Sequence, residues 1–147
     1  MSSLNLDGLS AEQVIERFAL LPLEGEGGYF SLVQRDEHGN AIYFLMTPGQ
    51  FSAWHRLKER ETWVLIGGDP LALHIKQESY ERVELSRDGE LAASIAPGEW
   101  MAAETLGAWS LVLCFLAPPF SEMELAPAEL VDSWVKDFSE LPRLVHE

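Results

Sequence analysis

Apolar positions recur along this chain with two different periods, and the change of period divides it. Near the N-terminus Val14, Phe18 and Leu21 fall on one helical stripe, behind Ser10, which can cap the segment with Gln13 three residues on. Pro22 is predicted to end that helix, because proline cannot donate into the next turn. A second helix is predicted over Pro127 to Phe138, with Pro127 at a first-turn position and Leu130, Val131, Trp134 and Phe138 on one face. Between the two, short runs rich in leucine, aromatic and β-branched residues predict strands at Ala41–Met46, Glu61–Ile66, Leu71–Lys76, Tyr80–Leu85, Leu91–Ile95 and Trp109–Ala117. Turn residues separate them, among them Gly39 and Asn40, Pro48 and Gly49, Gly67 to Pro70, Asp88 and Gly89, and Pro97 and Gly98. Many short strands at near-even spacing predict a sandwich or barrel, so the expectation is one all-β domain over residues 1–147, flanked by two helices.

Length and composition narrow the function more than the fold. At 147 residues the chain is long enough for one sizeable core, and 47% hydrophobic with 23% charged residues is ordinary for a globular protein. The charge is not ordinary. Ten Lys and Arg against 24 Asp and Glu give a net charge of −14, a surface that repels nucleic-acid backbones and anionic lipid. Neither nucleic acid nor membrane is expected as a partner. Met1 to Asp7 lack a secretory leader's basic start and apolar run, so the expected location is the cytoplasm. Cys114 is the one cysteine, it lies in an apolar strand, and a packed core thiol is the reading it supports.

The stretch from Gly49 to Gly68 carries the candidate chemistry. His55 and Leu57 share a strand face because Arg56 alternates between them, and Glu61 opens the next strand with Trp63 and Leu65 on its side. If both faces turn inward, an imidazole, a carboxylate and an indole line one cavity. A buried carboxylate needs a partner, and pairing Glu61 with His55 or Arg56 makes either a proton-transfer dyad or a structural ion pair.

The spacing of Gly49, His55, Leu57, Glu61 and Gly68 resembles the first cupin motif, with Leu57 where the motif has a second histidine. Ala96 to Met101 resembles the second motif, with Ala96 for its proline and Met101 for its histidine. Glu26 to Phe30, Phe51-Ser52, His55-Arg56, Glu61, Trp63 and Trp109 to Val112 together resemble a small single-domain cupin family of unknown function, over roughly Leu21 to Leu125. This chain departs from that family's pattern at Glu24, Arg60 and Pro118 to Phe120.

The resemblance implies a cupin double-stranded β-helix, a jelly-roll-like barrel with a core of about residues 22–125, commonly paired as a homodimer. It also implies a small-molecule ligand. Of the four positions that hold metal in the motif, His55 and Glu61 alone carry good ligands, so no cofactor is expected beyond a weakly held divalent ion. His55 and Glu61 are the candidate catalytic residues, because histidine titrates where base catalysis works and a carboxyl can be tuned to the opposite role. Tyr29, Arg56, Trp63 and Met101 are candidate binding residues, with Trp63 as a flat wall for a sugar ring and Trp100 beside Met101 as a further inward candidate. His74 alternates away from Leu73 and is expected at the surface or an interface. Two functions stay open: isomerising or epimerising a sugar or sugar-phosphate-like molecule, or holding a small molecule without chemistry. A metal-dependent enzyme is a third.

Overall fold

A computed structural model describes residues 6–147. The absence of a leader, read from Met1 to Asp7, therefore falls mostly outside the described residues. In chain order the elements are α1 (Ala11–Arg17), β1 (Leu21–Pro22), β2 (Tyr29–Arg35), β3 (Asn40–Met46), β4 (Ser52–Leu57), β5 (Glu61–Gly68), β6 (Leu71–Lys76), β7 (Tyr80–Leu85), β8 (Ala92–Ile95), β9 (Trp100–Thr105), β10 (Ser110–Leu116), β11 (Met123–Leu125) and α2 (Ala128–Asp137). They form two antiparallel sheets, ordered β1-β2-β3-β10-β5-β8 and β11-β4-β9-β6-β7, in the jelly-roll-like manner expected.

Alternation sorts the side chains into three apolar layers. Phe44, Met46, Trp63, Leu65, Leu71, Leu73, Met101 and Val112 meet between the sheets. Their strand neighbours point the other way. Leu45, Trp109 and Leu111 pack outside the first sheet under Val14 and Leu20 of the α1 region. Trp54, Trp100 and Ala102 pack outside the second sheet under Val131 and Trp134 of α2 and Leu141 and Leu144 beyond it. Both faces of the central strands are covered, which is why β3 and β10 read as unbroken apolar runs rather than alternating ones. Each large apolar side chain removed from water contributes roughly 2 kcal/mol, so the helices are held by what they cover more than by their own short hydrogen-bond ladders.

The helix boundaries differ from those expected. Ser10 does cap α1 and forms the reciprocal box with Gln13. The helix stops at Arg17, however, because Ala19 turns left-handed at φ 53° and folds Leu20 back into the outer layer. Leu21 is 65% exposed rather than on the buried stripe, and Pro22 lies in β1, past the helix end. Pro127 precedes α2 as its cap residue. β6 and β7 have the bounds expected from sequence.

Candidate functional site

Three chain segments meet at a cavity of about 220 Å³ between the sheets, roughly the volume of seven liquid waters. His55 enters from β4, Glu61 from the start of β5, and Glu26 from the turn before β2. All three are at least nine-tenths buried, while the walls are mostly apolar, with Phe30, Ile42, Leu57 and Leu116 among them.

His55 is held by its own strand. Nδ1 lies 2.7 Å from the Ala53 carbonyl oxygen. A carbonyl only accepts, so Nδ1 carries a proton, and in the neutral ring the lone pair is then on Nε2. Nε2 stands 3.7 Å from Glu26 Oε2, beyond a hydrogen bond but close enough to stabilise an imidazolium.

Glu61 sits in the opposite state. The Trp63 indole donates to Oε1 at 3.0 Å. Burial raises the carboxyl to about 8, the neighbouring Glu26 charge adds to the rise, the Trp63 bond works against it, and Glu59 adds a smaller push. At neutral pH Glu61 is thus mainly the neutral acid, with the indole on Oε1 and the hydroxyl proton on Oε2. An imidazole nitrogen and an acidic proton face one mostly apolar hollow.

Glu26 was not picked out as a site residue from the sequence. Its side chain accepts from the Ser52 hydroxyl at 2.6 Å, and its backbone carbonyl accepts from the Ala53 amide at 2.8 Å, so the turn is tied to β4 on both counts. The signal was the glycine pair that follows it. Gly27 has φ 95°, and a Cβ there would lie 2.3 Å from the Phe51 carbonyl oxygen; Gly28, at φ 77°, would meet Phe44 at 2.7 Å. Only glycine lets the chain turn this tightly and aim Glu26 inward.

The structure places the other candidates elsewhere. Tyr29 begins β2 on the outer side and packs with the α1 layer, while Phe30 beside it faces the cavity. Arg56 points out of the barrel, bonds Glu124 at 2.9 Å and lies 4.3 Å over the Trp100 ring. Trp63 does point inward but is fully buried behind Glu61, tilted against Phe44, so it supports the acid rather than walling the cavity. Met101 is buried in the inner core, opposite His55 in the ladder, and is not among the cavity-lining residues. Trp100 turns outward to the α2 layer, as adjacent strand residues must. His74 does alternate outward, but it is buried at 3% exposure rather than at the surface. Cys114 is buried in the inner core, where desolvation first and the Glu61 and Glu26 charges next push its thiol well up.

The residues present do not fit a resident metal of the kind the cupin motif carries. Two of its four positions hold the apolar Leu57 and the soft, fully packed Met101, and Glu61 is pushed toward its neutral form. Among the described residues no three of His, Cys, Asp and Glu stand together to hold an ion.

Comparison with known proteins bears on the same fold. The family described as "Cupin superfamily (DUF985)" matches residues 12–126. A solved structure of a hypothetical protein from Leishmania major is 27% identical, with 95% of this chain and 100% of that one covered and a TM-score of 0.83. A protein from Shewanella oneidensis is 22% identical over 94% of this chain and 98% of its own, with a TM-score of 0.80. An uncharacterized conserved protein from Klebsiella pneumoniae with a double-stranded β-helix domain is 20% identical over 77% and 94% of the two chains, with a TM-score of 0.59. Among curated proteins nothing matches. No helix of the described residues is long and apolar enough to cross a membrane. With the match spanning most of its length, the chain belongs to the cupin superfamily, in the family described as DUF985.

Proposed function

We propose that this cupin moves a proton on a small carbonyl compound, isomerising or epimerising it without a metal. The observation that carries the reading is a pair of unlike groups facing one cavity: Glu61, whose carboxyl burial raises to about 8, and His55, whose Nδ1–H is spent on Ala53. Such pairs of groups pushed apart by their surroundings are how acid and base roles are divided at one pH.

The step balances within these residues. His55 Nε2 takes the proton from the carbon next to the carbonyl while Glu61 Oε2 gives its proton to the carbonyl oxygen, forming a neutral enol. Return of that proton from His55 to the former carbonyl carbon, with Glu61 taking the proton of the adjacent hydroxyl, completes isomerisation of a 2-hydroxy carbonyl compound. Its return to the same carbon after the enol has turned over, with the enol proton going back to Glu61, completes epimerisation. Glu26, 3.7 Å from Nε2, supports the imidazolium in between. The mostly apolar wall favours a substrate with fewer hydroxyls than a free sugar, since each hydroxyl buried without a partner costs on the order of 1–3 kcal/mol.

Proton exchange tests it directly. Small aldoses, ketoses and 2-oxo compounds incubated with the protein in D2O should take up deuterium at the carbon beside the carbonyl, read by proton NMR, and His55→Ala should stop the uptake. No uptake above buffer with any of them removes the catalytic reading. A second reading, a binding cupin without chemistry, is favoured by Leu57 and Met101 at the ligand positions. It predicts that a bound compound raises the melting temperature but exchanges no proton.

A further inference from the structure

The cavity's rim differs from its floor in charge. Arg35, at the end of β2, is the lysine-or-arginine side chain that lines the cavity. Four of the other nine basic side chains are matched with acids: Arg56 with Glu124, Lys58 with Glu122, Arg87 with Asp7 and Arg143 with Asp132. Arg35 has no carboxylate within ion-pair reach among the described residues, in a chain of 24 acids against ten bases.

Its guanidinium is nevertheless fixed. Nη2 donates to the Phe120 carbonyl oxygen at 2.8 Å. The Phe120 amide in turn donates to Asn40 Oδ1 at 2.6 Å, and Asn40 is the residue opposite Arg35 in the β2–β3 ladder. Phe120 is thus gripped from both sides, and the remaining guanidinium donors stay free at the mouth. Between rim and floor the wall is Leu32, Ile42, Leu116, Phe120 and Met123.

We propose that Arg35 is the specificity residue of this site, reading an anionic end, carboxylate or phosphate, of a ligand whose apolar middle crosses the wall and whose neutral polar end reaches His55 and Glu61. The polarity order sets this orientation. The floor already holds Glu26 and repels a second anion, whereas a planar guanidinium grips carboxylate or phosphate with several N–H groups at once. The assignment rests on the cavity being a ligand site, as the proposed function has it, and stands apart from proton transfer there.

Matched pairs of probes decide it. Short 4-oxo and 5-oxo carboxylates of about five or six carbons, sized to the cavity, are compared with their methyl esters, and oxoalkyl phosphates of the same length with the matching oxo alcohols. Binding is read by calorimetry and thermal shift, up to about 10 mM. At least one anionic series should bind about tenfold to a hundredfold more tightly than its neutral partner. Whichever series does so identifies the source of the anion. Arg35→Met should erase that gap in a protein that still unfolds cooperatively, its melting temperature lowered only by the loss of one exposed hydrogen bond to Phe120, and Arg35→Lys should keep part of it. Equal binding of acids and neutral partners, a gap that survives in Arg35→Met, or no anionic probe bound at all each overturns the assignment. Arg35-dependent binding without deuterium uptake leaves it standing and removes only the catalysis; uptake that ignores Arg35 does the reverse.

Discussion

Two buried histidines of the second sheet make an instructive pair. His55 and His74 are 2% and 3% exposed, and both have a glutamate near Nε2. On β6, His74 has both nitrogens engaged: Nδ1 lies 2.8 Å from the Tyr80 hydroxyl and Nε2 lies 2.9 Å from Glu104 Oε2. Its ring stacks on Tyr80 at 5.9 Å and tilts against Trp54 on the outer side of the sheet. His55, on β4, has one nitrogen engaged and the other facing a hollow. Burial and a nearby carboxylate are common to both. What separates the two is whether the second nitrogen is already satisfied by a hydrogen bond.

Exchanging the two histidines' fates gives the largest expected effect. His55→Ala should lower proton exchange about a thousandfold, the usual size of a general-base loss, with the fold retained. An equal loss in His74→Ala would show that the comparison draws the line in the wrong place. Next comes Glu61→Gln, which should cost about a hundredfold in exchange. It should also change the response to pH. The unfolded chain releases the Glu61 proton above its ordinary 4.5, whereas the folded protein holds it until about 8. The unfolded state thus binds fewer protons across that window, and wild-type stability should fall as pH rises from 4.5 to 8, by on the order of 5 kcal/mol. Urea melts of Glu61→Gln across the same window should lose that component, and the wild-type exchange rate should decline as pH passes about 8.

His74→Ala should cost about 2 kcal/mol in urea unfolding, since it strips Tyr80 and Glu104 of a partner, yet leave exchange within about twofold. Trp63→Phe is the mildest. Removing the indole donor takes away a bond that lowers Glu61, so the alkaline limb of the exchange profile should move to higher pH, at about 1 kcal/mol in stability. A limb that stays put would detach the indole from the acid's tuning.

The cupin match was readable because Gly49, His55, Glu61 and Gly68 lie close together in sequence, and a strand-turn-strand unit fixes their relation locally. The sequence left open which way the candidate binding residues point. Tyr29 and Arg56 each stand one position from a cavity-lining residue, Phe30 and His55, and strand alternation sends neighbours to opposite faces. Because β2 and β4 are covered in part on both sides, apolar character alone could not say which face was inner. Arg35 lay in a polar stretch with no motif around it and gained meaning only when Phe120, 85 residues away, came to meet it.

By itself the sequence determined a barrel of short strands between two helices, the acidic surface, and the spacing that lets His55 and Glu61 share one side of their strands. Those follow from local propensity, periodicity and close spacing. Tertiary structure alone decided that Glu26 joins them, that His74 is fastened under the outer layer, and that Glu61 holds its proton to about 8. The physical reason is that desolvation, like-charge repulsion and the satisfaction of a second nitrogen depend on which distant segments share a space, a relation the chain acquires only by folding.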